Sequence, residues 1–170
     1  TCRDWSSDVC SSDLKELGAK LKFYPGIPEF LQTCKESIEA DETFAKHSIS
    51  VEHYIVSTGL RQMILGSDVA KHVKNVWACE LIDAPPEPGF LEAGGPPLED
   101  GEIAQVGYFL DNTTKTRAIW EINKGTNVDE AVDVNAQIAM EDRRIPLPNM
   151  IYVADGDRKS TRLNSSHGKL

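Results

Sequence analysis

The sequence predicts an α/β domain built on a parallel sheet, and three observations carry that expectation. A β-branched run, His53-Tyr54-Ile55-Val56, ends in Ser57-Thr58-Gly59 and passes straight into a helical pattern. A second apolar run, Val76 to Ile82, follows another short helical stretch, and a third, Asn149 to Ala154, closes on Asp155-Gly156. Strands that alternate with helical crossovers pair in parallel, and near-continuous apolar runs suit strands covered on both faces.

Composition narrows the field. The 170 residues, 40% of them apolar, suffice for one domain with its own core. No run reaches the roughly 18 apolar residues of a membrane span, so no membrane partner is expected. A formal charge of −9 excludes a nucleic-acid binder that works through a basic field. Cys2, Cys10, Cys34 and Cys79 form no C-x-x-C pair and have no histidines at zinc spacing, which predicts reduced thiols in a cytoplasmic protein. The two ends read differently from the interior. Residues 1–14 and 157–170 are aperiodic and polar, with too little apolar area to order themselves, and are expected to be disordered tails around a domain at 15–156. RDWSSDVCSSDL and RKSTRLNSSHG within them resemble translated sequencing-adapter read-through, so the tails are expected to be non-native. The first tail is acidic and the second basic, and the interior between them is more acidic than the whole chain.

The elements follow in order. From Pro25 the pattern is helical, with Pro28 suited to a first turn and Ile27, Phe30, Leu31, Cys34 and Ile38 spaced to share one face. Residues 39–50 are polar and predict a loop, with the helix continuing into it by about a turn as the alternative. The strand at 51–56 comes next, then the Ser-Thr-Gly turn, then a short helix with Leu60, Met63 and Ile64 inward and Gly66 at its end. Ser67 suits the cap of a second short helix through Val73, before the strand at 76–82. Five prolines and four glycines between Asp83 and Gly101 forbid regular structure and predict a surface excursion. Residues 102–110 alternate Ala104, Val106, Tyr108 and Leu110 on one face, as an antiparallel hairpin strand at the sheet edge does. Asp111-Asn112-Thr113-Thr114 is a turn with cap chemistry opening a helix whose buried stripe is Ala118, Ile119 and Ile122, with Gly125 closing it. Residues 126–147 are acidic and poorly periodic, and the strand at 149–154 is the last element.

In a parallel sheet ligands meet the carboxyl ends of the strands, and crossover helices run back antiparallel. Ser57 and Asp155 both end strands and so share a rim. A lysine joins them only from the start of a crossover helix, which favours Lys115. Lys124, at the far end of that helix, reaches the rim only if Gly125 starts a second one. A hydroxyl, a lysine and a strand-end aspartate are the parts of a phosphate site with a divalent cation. Ser57 and the Thr58 and Gly59 amides hold phosphoryl oxygens, Lys115 neutralises their charge, and Asp155 takes the hard metal. Each also has a plainer reading: Ser57 as a helix cap, Lys115 as a solvated side chain, Asp155-Gly156 as a turn.

The order of these residues resembles the haloacid dehalogenase-like hydrolase superfamily over nearly all of 15–156. YPGIPEFL (Tyr24 to Leu31) looks like the helix before that family's second motif, and YIVSTGL is similar to the motif itself. TTKTRAIWEINKG (Thr113 to Gly125) looks like the lysine motif, and MIYVADG (Met150 to Gly156) resembles the start of the acidic fourth motif. The resemblance implies a Rossmann-like parallel core and phosphate-monoester hydrolysis of a small phosphorylated metabolite. An aspartate of an Asp-x-Asp pair attacks phosphorus, a second aspartate acts as acid and base, and Mg²⁺ is shared with Asp155. Ser57 and Lys115 are then catalytic, and Ser57, Thr58, Gly59 and Lys115 bind phosphate.

Two departures stand out. No strand ending in Asp-x-Asp precedes Pro25, and Lys159 stands where a second fourth-motif acid is expected. Both lie at or beyond the suspected junctions, so the chain is expected to be a truncated core, inactive without its nucleophile and marginal because the missing strand leaves parallel edges unpaired. The family's substrate-selecting cap is inserted after the first motif, which leaves residues 15–23 as its last remnant here. The alternative is a non-catalytic binding or regulatory module on the same sheet, using the acidic face and the Pro85–Pro97 loop. A dinucleotide-binding domain is disfavoured, since no G-x-G-x-x-G follows any strand.

Overall fold

The computed structural model describes residues 9–83, 103–129 and 131–154. They form a mixed α/β architecture that divides into two units, Thr1–Trp120 and Glu121–Leu170.

The first unit opens with α1 (Ser11–Gly18), so part of the expected N-terminal tail is helical and Leu14 is buried. The signal missed is a capping box with cysteine as its first member. Asp13 reaches back to the Cys10 backbone N–H at 3.0 Å and to its thiol at 3.1 Å. Gly26, in the left-handed region at φ 83°, leads into α2 (Ile27–Ala40), with Pro28 in the first turn as expected. No residue of α2 is fully buried; Leu31, Cys34 and Ile38 are half-covered and Phe30 is 60% exposed. The polar stretch after it contains α3 (Glu42–Lys46), capped by Asp41 through the Thr43 amide at 2.8 Å.

β1 (Tyr54–Leu60) and β2 (Asn75–Asp83) pair in parallel, with Tyr54 opposite Asn75, Ile55 opposite Val76, Val56 opposite Trp77 and Leu60 opposite Cys79. α4 (Arg61–Leu65) and a 3₁₀ turn at Ala70–His72 connect them. Ser67 does not cap that turn; its hydroxyl donates to the Ile64 carbonyl at 2.6 Å and closes the end of α4. β3 (Ile103–Tyr108) pairs antiparallel with β2, as the alternating pattern predicts, giving the order β1-β2-β3. Val106, expected on the shared inward face, is exposed. The Pro/Gly-rich excursion at 84–102 lies outside the described residues.

The helix layer is held by backbone contact. α4 packs on α1 as well as on β2. A Cβ on Gly18 would overlap the Met63 carbonyl, and one on Gly66 would overlap the Lys15 carbonyl, so each helix presents a glycine to the other's backbone. Val69, Val76, Ala78, Cys79 and Leu110 are buried with Leu14. Leu110 is 0% exposed, and Leu110→Ala is expected to destabilise by about 2–5 kcal/mol, read as a shift of the urea midpoint at unchanged slope.

α5 (Lys115–Lys124) carries Ala118 and Ile122 on its buried stripe, as predicted, and Gly125 ends it at φ 91°. In the second unit the expected strand at 149–154 is not formed among the described residues. A 3₁₀ turn at Leu147–Asn149, started between two prolines, leads into an extended segment in which Ile151 and Val153 are exposed. β-branched residues favour a pleated surface but become a strand only where an edge accepts them. Among the described residues no helix is long and apolar enough to cross a membrane.

Candidate phosphate-binding site

The turn predicted at Ser57-Thr58-Gly59 is instead the end of β1. Pairing with β2 resumes at Leu60 opposite Cys79, after a register shift between Val56 and Leu60, and this carries the backbone past Gly59 before the helix starts. Neither Ser57 nor Thr58 caps α4, whose cap residue is Leu60 without a side-chain bond. At five residues, α4 has no helix-end anion site to offer, so that part of the sequence argument is corrected.

What the irregular strand end does supply is a local hydroxyl on an exposed segment. Thr58 and Gly59 are exposed and Ser57 is half-buried. The Gly59 N–H donates to Ser57 Oγ at 3.0 Å, which holds the side chain along the shifted segment. As acceptor in that bond, the serine keeps its own hydroxyl hydrogen for a ligand. Arg61, the nearest cation in sequence, is tied down: it pairs with Glu80 at 3.3 Å and donates to the Val76 carbonyl at 3.3 Å.

Lys115 is the first residue of α5, and the turn before it is rigidly made. Asp111 Oδ1 accepts from the Thr113 and Thr114 amides, both at 2.8 Å, and from their hydroxyls at 2.7 and 3.0 Å. The Asp111 N–H in turn donates to Thr114 Oγ1 at 2.8 Å. The Thr113 hydroxyl above all, then the two amides, pull the Asp111 carboxyl down from its ordinary 3.8 to about 2. A carboxyl lowered by folding stabilises fully above its unfolded value and loses that contribution as pH falls through its folded one. Asp111→Ala is therefore expected to lower the thermal midpoint at neutral pH and to erase part of the acid sensitivity expected of the parent between pH 3.8 and about 2, measured by melts across that window. Lys115 itself is half-buried, and its ammonium makes no hydrogen bond or ion pair among the described residues.

The two segments meet at a residue that the sequence did not mark. Cys79 of β2 is buried, and its Sγ lies 3.5 Å from the Thr58 carbonyl, 3.6 Å from the Leu110 carbonyl and 3.3 Å from the Leu110 nitrogen. The thiol accepts the Leu110 N–H and shares its single hydrogen between the two carbonyls. The end of β1 and the entry to α5 thus converge on one side chain at the same end of the parallel pair. In the sequence, Cys79 is only one more small apolar residue in a strand.

Lys124, the alternative lysine, is already used in the second unit. Its ammonium donates to the Val134 and Ala136 carbonyls at 2.5 and 2.7 Å, next to the buried Asn123, whose amide donates to the Ile145 carbonyl at 2.7 Å. Lys124→Met is expected to loosen the 133–145 segment, read as faster amide exchange there. Asp155, the predicted metal ligand, lies outside the described residues. Among the described residues no three His, Cys, Asp or Glu side chains gather as a cation site.

The chain is 40% identical over 144 residues to an uncharacterized protein of Borreliella burgdorferi, a match that covers 84% of this chain and 48% of that protein. It therefore spans about half the length of the curated relative it matches. No family model matches the chain, and no solved structure matches it.

Proposed function

We propose that the chain is part of a cytoplasmic phosphohydrolase of the haloacid dehalogenase-like kind, with a Rossmann-like core, acting on a small phosphorylated metabolite. The observation that supports this reading is the junction at Cys79, midway along β2, where Thr58, next to Ser57, and Leu110, five residues before Lys115, bond to one thiol. The serine hydroxyl and the Thr58 amide hold phosphoryl oxygens, and the Lys115 ammonium offsets their charge. The order β1-β2-β3 supports the reading as well, because β1 has β2 on one side and no strand on the other among the described residues. A strand bearing the attacking aspartate fits that edge. Its carboxylate displaces the alcohol from phosphorus, and water then releases orthophosphate from the acyl phosphate. Mg²⁺ supplies charge neutralisation at the phosphoryl oxygens when bound, and Asp155 is the carboxylate that would hold it.

The test is to express the protein with its upstream coding sequence and assay an aryl phosphate with Mg²⁺. Hydrolysis lost in Asp155→Asn supports the reading, and an intact gene without an upstream strand ending in Asp-x-Asp favours the binding module instead. The 170-residue chain alone is expected to be inactive. Turnover by it that Asp155→Asn abolishes would overturn the assignment of the nucleophile to an upstream strand.

A further inference from the structure

Building on that reading, we infer that Cys79 is a positioning residue, whose thiol sets the Ser57–Gly59 segment and the Lys115 helix at the spacing one bound phosphoryl group requires. The thiol is hydrogen-bonded to both arms, through the Thr58 carbonyl and both polar groups of the Leu110 backbone. On the β1 side the chain of bonds is short. Thr58 lies between Ser57 and Gly59, which are themselves joined by the 3.0 Å amide-to-hydroxyl bond, so a shift of the Thr58 carbonyl moves the whole segment. On the other side Leu110 is fully buried and precedes Asp111, whose carboxylate organises the turn that ends at Lys115. Leu110 cannot slide without opening a cavity, and its buried N–H has the sulfur as acceptor. The Ser57 and Lys115 arms are otherwise separated by more than fifty residues of chain. Errors of about 1 Å in such a site are costly, and that is the tolerance this sulfur governs.

Two substitutions separate positioning from packing. Cys79→Val keeps apolar volume and removes the hydrogen bonds, whereas Cys79→Ser keeps a donor and acceptor but is smaller and more polar. The measurement is the affinity of the 170-residue chain for inorganic phosphate by ³¹P NMR titration, with amide exchange at Leu110 followed in parallel. The expected result is that Ser57→Ala, Lys115→Ala and Cys79→Val each weaken phosphate binding by about tenfold or more, that Cys79→Ser stays within about threefold of the parent, and that Leu110 exchanges faster in Cys79→Val alone. If Cys79→Val binds phosphate like the parent while Ser57→Ala and Lys115→Ala do not, the positioning role is wrong and the phosphate site stands. If Cys79→Ser loses binding as fully as Cys79→Val, the thiol acts through packing and the inference is overturned. If neither Ser57→Ala nor Lys115→Ala affects binding, or the parent binds none, the phosphate site itself fails and the inference falls with it.

Discussion

Gly66→Ala is expected to abolish the native packing of the first unit. The new Cβ would overlap the Lys15 backbone carbonyl, which has no rotamer by which to move aside. Overpacking of a core normally costs about 1–3 kcal/mol, but here the clash is with main chain on both sides, so relief requires the two helices to separate. Separation would expose Leu14, buried on α1. Gly18→Ala meets the Met63 carbonyl in the same way and should behave alike. The check is near-UV circular dichroism with a urea melt. Both variants should lose near-UV signal and unfold at lower urea than the parent, and a parent-like spectrum and melt in either would show that the contact between α1 and α4 is not the one described.

The second large effect concerns activity. In the protein extended to include the attacking aspartate, Ser57→Ala and Lys115→Ala should each lower kcat by about 10²- to 10³-fold, the usual loss when one preorganised donor to a developing charge is removed. Lys115→Arg should rescue poorly, because a planar fork does not reproduce a compact ammonium in a half-buried position. Lys124→Met should leave kcat within about threefold and affect stability instead, since that ammonium is spent on two carbonyls of its own unit. An inversion of the two lysines' effects would return the catalytic role to Lys124.

How far the fold could be read from residues depended on whether the signal was local. The helix with Ala118 and Ile122, its Asp111 turn and its Gly125 end were legible because caps and helical spacing act within a few residues. β2 and the hairpin to β3 were legible for the same reason, from apolar content and alternation. The end of β1 was not, because nothing in Ser57-Thr58-Gly59 says that β2 will offer Cys79 as a partner for Leu60 and draw the strand onward. Nor was the extended segment after Asn149, whose apolar β-branched residues describe a strand that pairing alone can complete. For the site, Ser57 and Lys115 could be proposed from residue type and order. Cys79 could not, since its role arises only where two distant backbone segments meet.

If Ser57 and Lys115 hold the same phosphoryl group, as proposed, a double-mutant cycle on inorganic phosphate affinity shows it. Two side chains that share one ligand are coupled, so each single variant is expected to weaken phosphate binding and Ser57→Ala combined with Lys115→Ala to lose clearly less than the product of the two separate losses. A phosphate affinity that falls in one single variant and stays at the parent's value in the other would contradict it, because it would put the hydroxyl and the ammonium at different places in the molecule.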